Sequence, residues 1–399
     1  MIKFDFNTYT TSFIDKNKYD ELLAKKSEII TKFNESNMIG WTKKISKDIV
    51  SDIKETARNI KDTFDCMVVI GIGGSFLGSY SFDKIFRKYF NDDKFEVIYA
   101  GTSLSSKYLD ELINYLDKKN FCLTVISKSG STMETKITYK ILKDVLKRKY
   151  PEEEIPNHII TITDKENGEL RQETEEKGYK SFIIPNNIGG RYSFITPAHL
   201  LPLALNYDID EIINGYYHGK RLIDKAYEYA VIRRILFDKK KQVENFCVNE
   251  ENLLFYTEWL KQLFGETEGK QRVGIYPTSS LHTRDLHSLG QFVQDGNKIL
   301  FETFIKVKKV SNYIAYNKKT LHEINNIVED SVMRAHYKGK VPCIEIVLDE
   351  LTPYNISELI YFFQMSAAFS GYLFGVEPFN QPGVEVYKQE VRDALTWTK

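Results

Sequence analysis

Short uninterrupted apolar runs recur through the first half of this chain, each followed by a stretch with helical spacing. Met67 to Ile70, Phe95 to Ala100, Leu123 to Ile126, and residues 158–163 and 180–184 are all of strand length. Between them the pattern predicts helices from Ser75 to Phe90 and over 106–117, 133–148 and 165–177. A strand buried on both faces loses the in-out alternation of a half-exposed one. Continuous runs alternating with helices therefore call for a mainly parallel sheet covered on both sides, an α/β fold. The second half keeps only the rhythm: a helix at 251–264, strands near 298–305 and 342–348, a helix at about 355–373, and an amphipathic tail helix from Tyr387 to Lys399. Residues 16–63 have charged positions with apolar ones at helical spacing (Leu22, Ile29, Phe33, Ile45, Ile49, Ile53, Ile60) and predict two or three amphipathic helices. The segment 196–237 reads as a largely helical connection.

At 399 residues the chain exceeds one usual domain, so two cores are expected. Lys plus Arg is 55 and Asp plus Glu is 55, giving a net charge of zero. That balance argues against bulk attraction to nucleic acid or to an anionic membrane. Cys66, Cys122, Cys247 and Cys343 are scattered without metal-type spacing, which suggests buried thiols in a reducing compartment and no metal site. Asp5 interrupts the N-terminus where a signal peptide needs an apolar core, and no run approaches a membrane span. A soluble cytoplasmic protein is expected.

Three loops carry the chemistry-bearing residues of the first half. After strand 123–126 come Ser127, Lys128, Ser129, Gly130, Ser131 and Thr132, with Glu134 at capping-box spacing from Ser131. A hydroxyl-rich turn at a helix N-terminus gathers free N–H groups, O–H donors and the positive end of the helix dipole, which suits a phosphate or another small anion. An ordinary capped βα turn would also use serine, but four hydroxyls and a glycine in six residues exceed what capping needs. Gly71-Ile72-Gly73-Gly74-Ser75 lacks the sixth-place glycine of a dinucleotide fingerprint, since Phe76 stands there. No Walker lysine follows either. The glycines still let backbone approach a ligand closely, in a crevice shared with 127–132 at the strands' carboxyl ends. Asn187-Ile188-Gly189-Gly190-Arg191-Tyr192-Ser193 sets an arginine beside a Gly-Gly pair, where it could hold a phosphate or an oxyanion, or be an ordinary surface residue.

In the second half Glu266 and Glu268 lie in a glycine-bounded stretch read as a loop after an apolar helix. Either could serve as a general base, and spacing does not choose between them. His287 and Lys388, taken singly, are as readily structural or solvated residues as catalytic ones.

Taken together the motifs are more specific. Gly-Ile-Gly-Gly-Ser at 71–75, Ser-Lys-Ser-Gly-Ser-Thr at 127–132, Gly-Gly-Arg-Tyr-Ser at 189–193, Gly-Glu-Thr-Glu-Gly-Lys at 265–270 and Asn-Gln-Pro-Gly-Val-Glu-Val-Tyr-Lys at 380–388 resemble, in the same order, those of short bacterial glucose-6-phosphate isomerases. The resemblance implies two sugar-isomerase domains plus a C-terminal helix, here expected at 1–206, 207–376 and 377–399. It implies reversible exchange of glucose 6-phosphate and fructose 6-phosphate through a cis-enediol, in glycolysis and gluconeogenesis, with no cofactor and no metal. Glu266 would be the proton-shuttling base and Arg191 the cation at the intermediate, with His287 and Lys388 assisting ring opening. Ser127, Lys128, Ser129 and Thr132 would hold the phosphate; Gly74, Ser75, Gly190, Gln262 and Gln381 would line the sugar site. The resemblance also implies a homodimer with shared active sites, His287 coming from the neighbouring subunit.

Departures are small. Asn380 stands where many relatives have aspartate, and Thr267 where serine is usual. Two other functions fit parts of the pattern: a non-catalytic sugar-phosphate sensor, which would need neither Glu266 nor Lys388, and an isomerase of another phosphosugar such as mannose 6-phosphate.

Overall fold

The computed structural model describes residues 2–310 and 314–395. The chain opens with strand β1 (Ile2–Tyr9) and helices α1 (Lys16–Ala24) and α2 (Lys26–Glu35). It then enters a compact unit of residues 37–214. That unit holds α3 (Lys47–Thr63), β2 (Cys66–Ile70), α4 (Leu77–Phe86), β3 (Glu96–Ala100), α5 (Ser106–Leu116), β4 (Phe121–Ile126), α6 (Met133–Lys149), β5 (Ile159–Thr163), α7 (Glu169–Lys177), β6 (Lys180–Ile183), α8 (Pro197–Ala204) and the start of α9 (Ile209–His218). All its strands pair in parallel in the order β3-β2-β4-β5-β6. Chain order reverses between β2 and β4, and doubly wound sheets place ligands outside the carboxyl ends of the strands at such a point. The loops after these two strands are Gly71–Ser75 and Ser127–Thr132. Val68, Ile70, Leu123 and Val125 form the centre of a core shared with Leu112, Leu116, Leu142 and Leu146 of α5 and α6.

The other unit joins residues 1–36 to 215–399. After α9 it contains α10 (Ile223–Asp238), β7 (Val243–Val248), α11 (Leu254–Glu268), β8 (Tyr276–Leu281), α12 (Gly290–Asp295), β9 (Leu300–Lys309), a small hairpin of β10 (Ala315–Tyr316) and β11 (Lys319–Thr320), α13 (Leu321–Lys338), β12 (Cys343–Glu350), α14 (Pro353–Phe374) and α15 (Val384–Ala394). Its sheet runs β1-β12-β9-β7-β8, parallel except for β1, which pairs antiparallel at one edge. The expected division at residue 206 thus falls at Asn214/Gly215, and the first 36 residues belong with the second sheet.

Several helix bounds differ from expectation for local reasons. The helix expected at 75–90 is α4, which ends at Phe86 because Arg87 turns extended. The Arg87 guanidinium is held by Asp83 (2.9 Å), Asp92 (3.2 Å) and the Phe95 carbonyl (2.9 Å). The helix expected from 165 starts at Glu169, since Asp164 Oδ1 accepts the N–H groups of Glu166 and Asn167 in a turn that leads to Gly168 at φ 103°. The tail helix is Val384–Ala394; residues 396–399 of the expected span lie outside the described residues.

In the second sheet β7, β8 and β1 carry no continuous apolar run. In β7, Glu244 and Asn245 interrupt it, yet both are buried with polar partners. Pro277 and three hydroxyl residues mask β8, an edge strand where proline is tolerated. The third, β1, alternates Ile2, Phe4 and Phe6 as a half-buried edge strand does.

Candidate active site

In the 37–214 unit, the glycine loop and the Gly189–Ser193 loop are pressed together. A Cβ on Gly74 would sit 2.2 Å from the Gly190 carbonyl carbon, so only glycine permits this approach. Ser193 Oγ lies 3.0 Å from the Gly74 carbonyl oxygen and 2.6 Å from that of Gly190. His199, on α8 and absent from the sequence-based candidates, pins the arrangement. The Ser79 N–H donates to its Nδ1 at 3.0 Å, so the proton resides on Nε2, which faces the Gly74 carbonyl at 2.8 Å. Burial lowers its pKa to about 4, keeping the ring neutral. A Cβ on Gly78 would come within 2.9 Å of the same ring. The sequence gives little warning of His199: it sits in an apolar helical segment and shares no motif with the loop it holds.

Ser75 ends a 3-10 turn (Gly73–Ser75) rather than opening α4, whose N-cap is Phe76. Arg191 lies on the following 3-10 segment, Gly190–Ile195, with only 1% of its surface exposed. Beside it Tyr192 stacks on Trp41 at 5.2 Å between ring centroids. A buried guanidinium next to two glycines is a fixed cation, which suits a developing oxyanion better than a mobile surface arginine would.

The hydroxyl loop also differs in detail. The N-cap of α6 is Thr132, not Ser131, and no side chain caps the helix, so the expected Ser131–Glu134 box is not formed. Ser127 is buried and its Oγ accepts from the Gly130 N–H at 3.1 Å. Ser129 and Ser131 are exposed and hydrogen-bonded to one another at 2.8 Å. Gly130 takes φ 73°, and a Cβ there would meet the Leu170 N–H at 2.5 Å. Lys128 reaches the Asn186 carbonyl at 3.3 Å. The N–H groups of the first turn of α6 and the Thr132 hydroxyl thus stand at an uncapped helix N-terminus, an anion-binding arrangement.

In the other unit, Glu266 and Glu268 are on the last turn of α11 and not on a loop. The helix continues because Glu268 and Thr267 are buried against their neighbours. Glu268 pairs with Arg233, whose guanidinium also donates to Glu244 (2.8 Å) and Ser370 (2.7 Å). Burial alone would lower the pKa of Arg233, but the Glu244 and Glu268 carboxylates outweigh it and hold the side chain charged. Glu266 points elsewhere: it is half-buried, and Oε1 accepts from Gln262 Nε2 at 3.2 Å, one turn back on the helix. Packing gives the two carboxylates different surroundings. Glu268 belongs to a buried ion network, and Glu266 presents its carboxylate beside a glutamine.

His287 is exposed on a 3-10 turn (Arg284–His287) after β8, with Leu289 and Phe292 exposed near it in sequence at 46% and 47%. Lys388 is half-exposed on α15, where it pairs with Glu385 at 2.9 Å. Val384, Tyr387 and Val391, at helical spacing on α15, are not buried, and neither is Gln381 just before the helix. Within each unit, then, Gly74, Gly190 and Arg191 come together, as do Gln262 and Glu266, while His287 and Lys388 stand on accessible elements.

Two doubly wound, mainly parallel sheets, one with a hydroxyl-rich loop at its switch point, are the architecture of the sugar-isomerase class of α/β protein. A crystal structure of a glucose-6-phosphate isomerase from Chlamydia trachomatis D/UW-3/Cx has this fold, with a TM-score of 0.84, 18% identity, and 99% of this chain and 88% of that one covered. The phosphoglucose isomerase family model matches residues 27–236 and 315–396. Among curated relatives, the glucose-6-phosphate isomerase of Mycoplasmopsis pulmonis is 41% identical over 412 residues, covering 95% of this chain and 96% of that one. That of Staphylococcus saprophyticus is 40% identical over 384 residues, covering 89% and 86%. The chain belongs to the phosphoglucose isomerase family.

Proposed function

We propose that this chain interconverts D-glucose 6-phosphate and D-fructose 6-phosphate, with Glu266 as the base that moves a proton between C1 and C2. The observation that carries the residue-level reading is the contrast on α11: Glu268 is locked to Arg233, whereas Glu266 sits half-buried beside Gln262. In the open-chain aldose the Glu266 carboxylate removes the C2 proton, leaving a cis-enediol(ate), and returns it to C1 to give the ketose. Arg191, buried and cationic, stabilises the negative charge on oxygen. The phosphate is anchored by Ser127, Lys128, Ser129 and Thr132 at the N-terminus of α6, while Gly74, Ser75, Gly190, Gln262 and Gln381 contact the sugar. His287 and Lys388 act on the cyclic form, at the ring oxygen and its hydroxyl.

The reading includes a homodimer in which His287 reaches the site of the other subunit. Its exposure, with Leu289 and Phe292 exposed alongside, supports this. It also places the enzyme in the cytoplasm, a reducing compartment in keeping with four free cysteines. Among the described residues, no helix is long and apolar enough to cross a membrane. A coupled assay of the purified protein on glucose 6-phosphate and mannose 6-phosphate, side by side, tests the substrate. Turnover should be confined largely to glucose 6-phosphate; a preference for mannose 6-phosphate, or no turnover of either, would refute the proposal.

A further inference from the structure

On the α13 side of the second sheet, three neighbouring strands bring together groups that the sequence keeps far apart. Cys247 of β7 is in register with Ser280 and Phe304, so His282 and Glu302, each displaced by two residues, share its face. Cys247, His282 and Glu302 are all buried, and their thiol, imidazole and carboxylate ligand atoms lie within 4.8 Å of one another. Each donor is held by a polar neighbour. His282 Nδ1 is 3.1 Å from Glu329 Oε1 of α13. Glu302 is bound by His336 of α13 at 2.6 Å and by Asn245 at 3.1 Å. Asn245 is in turn fixed by Ser280 at 3.0 Å.

We propose that this cluster is a structural binding site for a divalent transition-metal ion, of which zinc is the best match. One thiolate, one imidazole and one carboxylate form a mixed donor set that suits zinc and is too soft for magnesium or calcium. A carboxylate on the far nitrogen of a ligating histidine is the usual second layer of a zinc site, and Glu329 stands there for His282. Glu329 also supplies an independent sign of a missing occupant. Its Oε2 is buried without a hydrogen-bond partner, although only 1% of the residue is exposed. A water taken up with the ion, outside its coordination sphere, would give that oxygen its donor. Binding displaces the Cys247 proton to solvent, and the ring nitrogen that Glu329 does not hold becomes the ligand while Nδ1–H donates to Glu329. The site is separate from the proposed catalytic one. Residue alternation puts Glu244 and Phe246 on the opposite face of β7, where Phe246 stacks on Phe264 of α11, the helix that carries Glu266. A metal here would tether the end of β8 just before the turn bearing His287.

The test is to express the chain in cobalt-supplemented medium, so that metal is present as the core closes, and to measure metal content and absorption. About one cobalt per chain is expected, with a thiolate-to-cobalt charge-transfer band. Cys343→Ala, which removes the other buried thiol on this face, should keep both. Cys247→Ala should lose the band, and His282→Gln should lower cobalt content by at least tenfold after dialysis against a chelator. Circular dichroism identifies any variant that fails to fold, and the folded one is then used. Wild-type protein without stoichiometric metal, or a band that survives in folded Cys247→Ala, would overturn the proposal.

Discussion

Arg233 and Glu268 form an ion pair in which both side chains are fully buried. The pair fixes the last turn of α11 against α10, and a second carboxylate, Glu244, meets the same guanidinium at 2.8 Å. A buried charge loses hydration that only its partners replace, so such groups are committed to structure. Glu266, two positions earlier on that turn, lies outside this network and is the residue proposed above as the base.

Breaking the network should therefore cost stability in an ordered way. Glu268→Ala is expected to lower unfolding free energy by ~3–5 kcal/mol. Arg233→Ala should cost more, because it strands two carboxylates. Glu266→Gln should cost less than about 1 kcal/mol, as expected for a partly exposed side chain outside the network. Urea denaturation of the three variants checks the order.

His199 makes the stability depend on pH. Its folded pKa, about 4, lies below the unfolded value of 6.5, so between these pH values the unfolded chain binds the extra proton. The contribution is present in full above 6.5 and is lost as pH falls toward 4. A shift of this size corresponds to about 3 kcal/mol. Denaturation at a series of pH values should show a shallower acid slope for His199→Gln than for the parent; identical slopes would show that the imidazole is not held neutral.

The approach of Gly74 to Gly190 predicts a kinetic effect. A methyl group at position 74 would have to displace the Gly190 carbonyl, which it would meet at 2.2 Å. Shifting that loop by about 1 Å can cost roughly 100-fold in rate. Gly74→Ala should lower kcat/KM on that scale while leaving the far-ultraviolet circular dichroism unchanged.

How far the sequence reveals this protein depends on which force shaped each part. The first sheet was readable because strands such as Cys66–Ile70 and Phe121–Ile126 are buried on both faces and stay apolar throughout, Thr124 excepted. The strand Val243–Val248 was not, because Glu244 and Asn245 find partners only once distant residues arrive. For the same reason the loop expected around Glu266 proved to be helix, and the Cys247–His282–Glu302 cluster stayed hidden behind cysteines with no metal-type spacing. Local patterns disclose the glycine and hydroxyl loops. Long-range polar partnerships, such as His199 with Gly74, leave no local trace.

Solvent-deuterium incorporation during turnover tests directly whether Glu266 moves the proton. With glucose 6-phosphate in deuterium oxide, the parent enzyme should place deuterium on the transferred carbon as isomerisation proceeds. Glu266→Gln should lose ~100- to 10,000-fold in both exchange and isomerisation, with substrate still bound at the phosphate loop. Near-parental exchange and turnover in that folded variant would contradict the assignment.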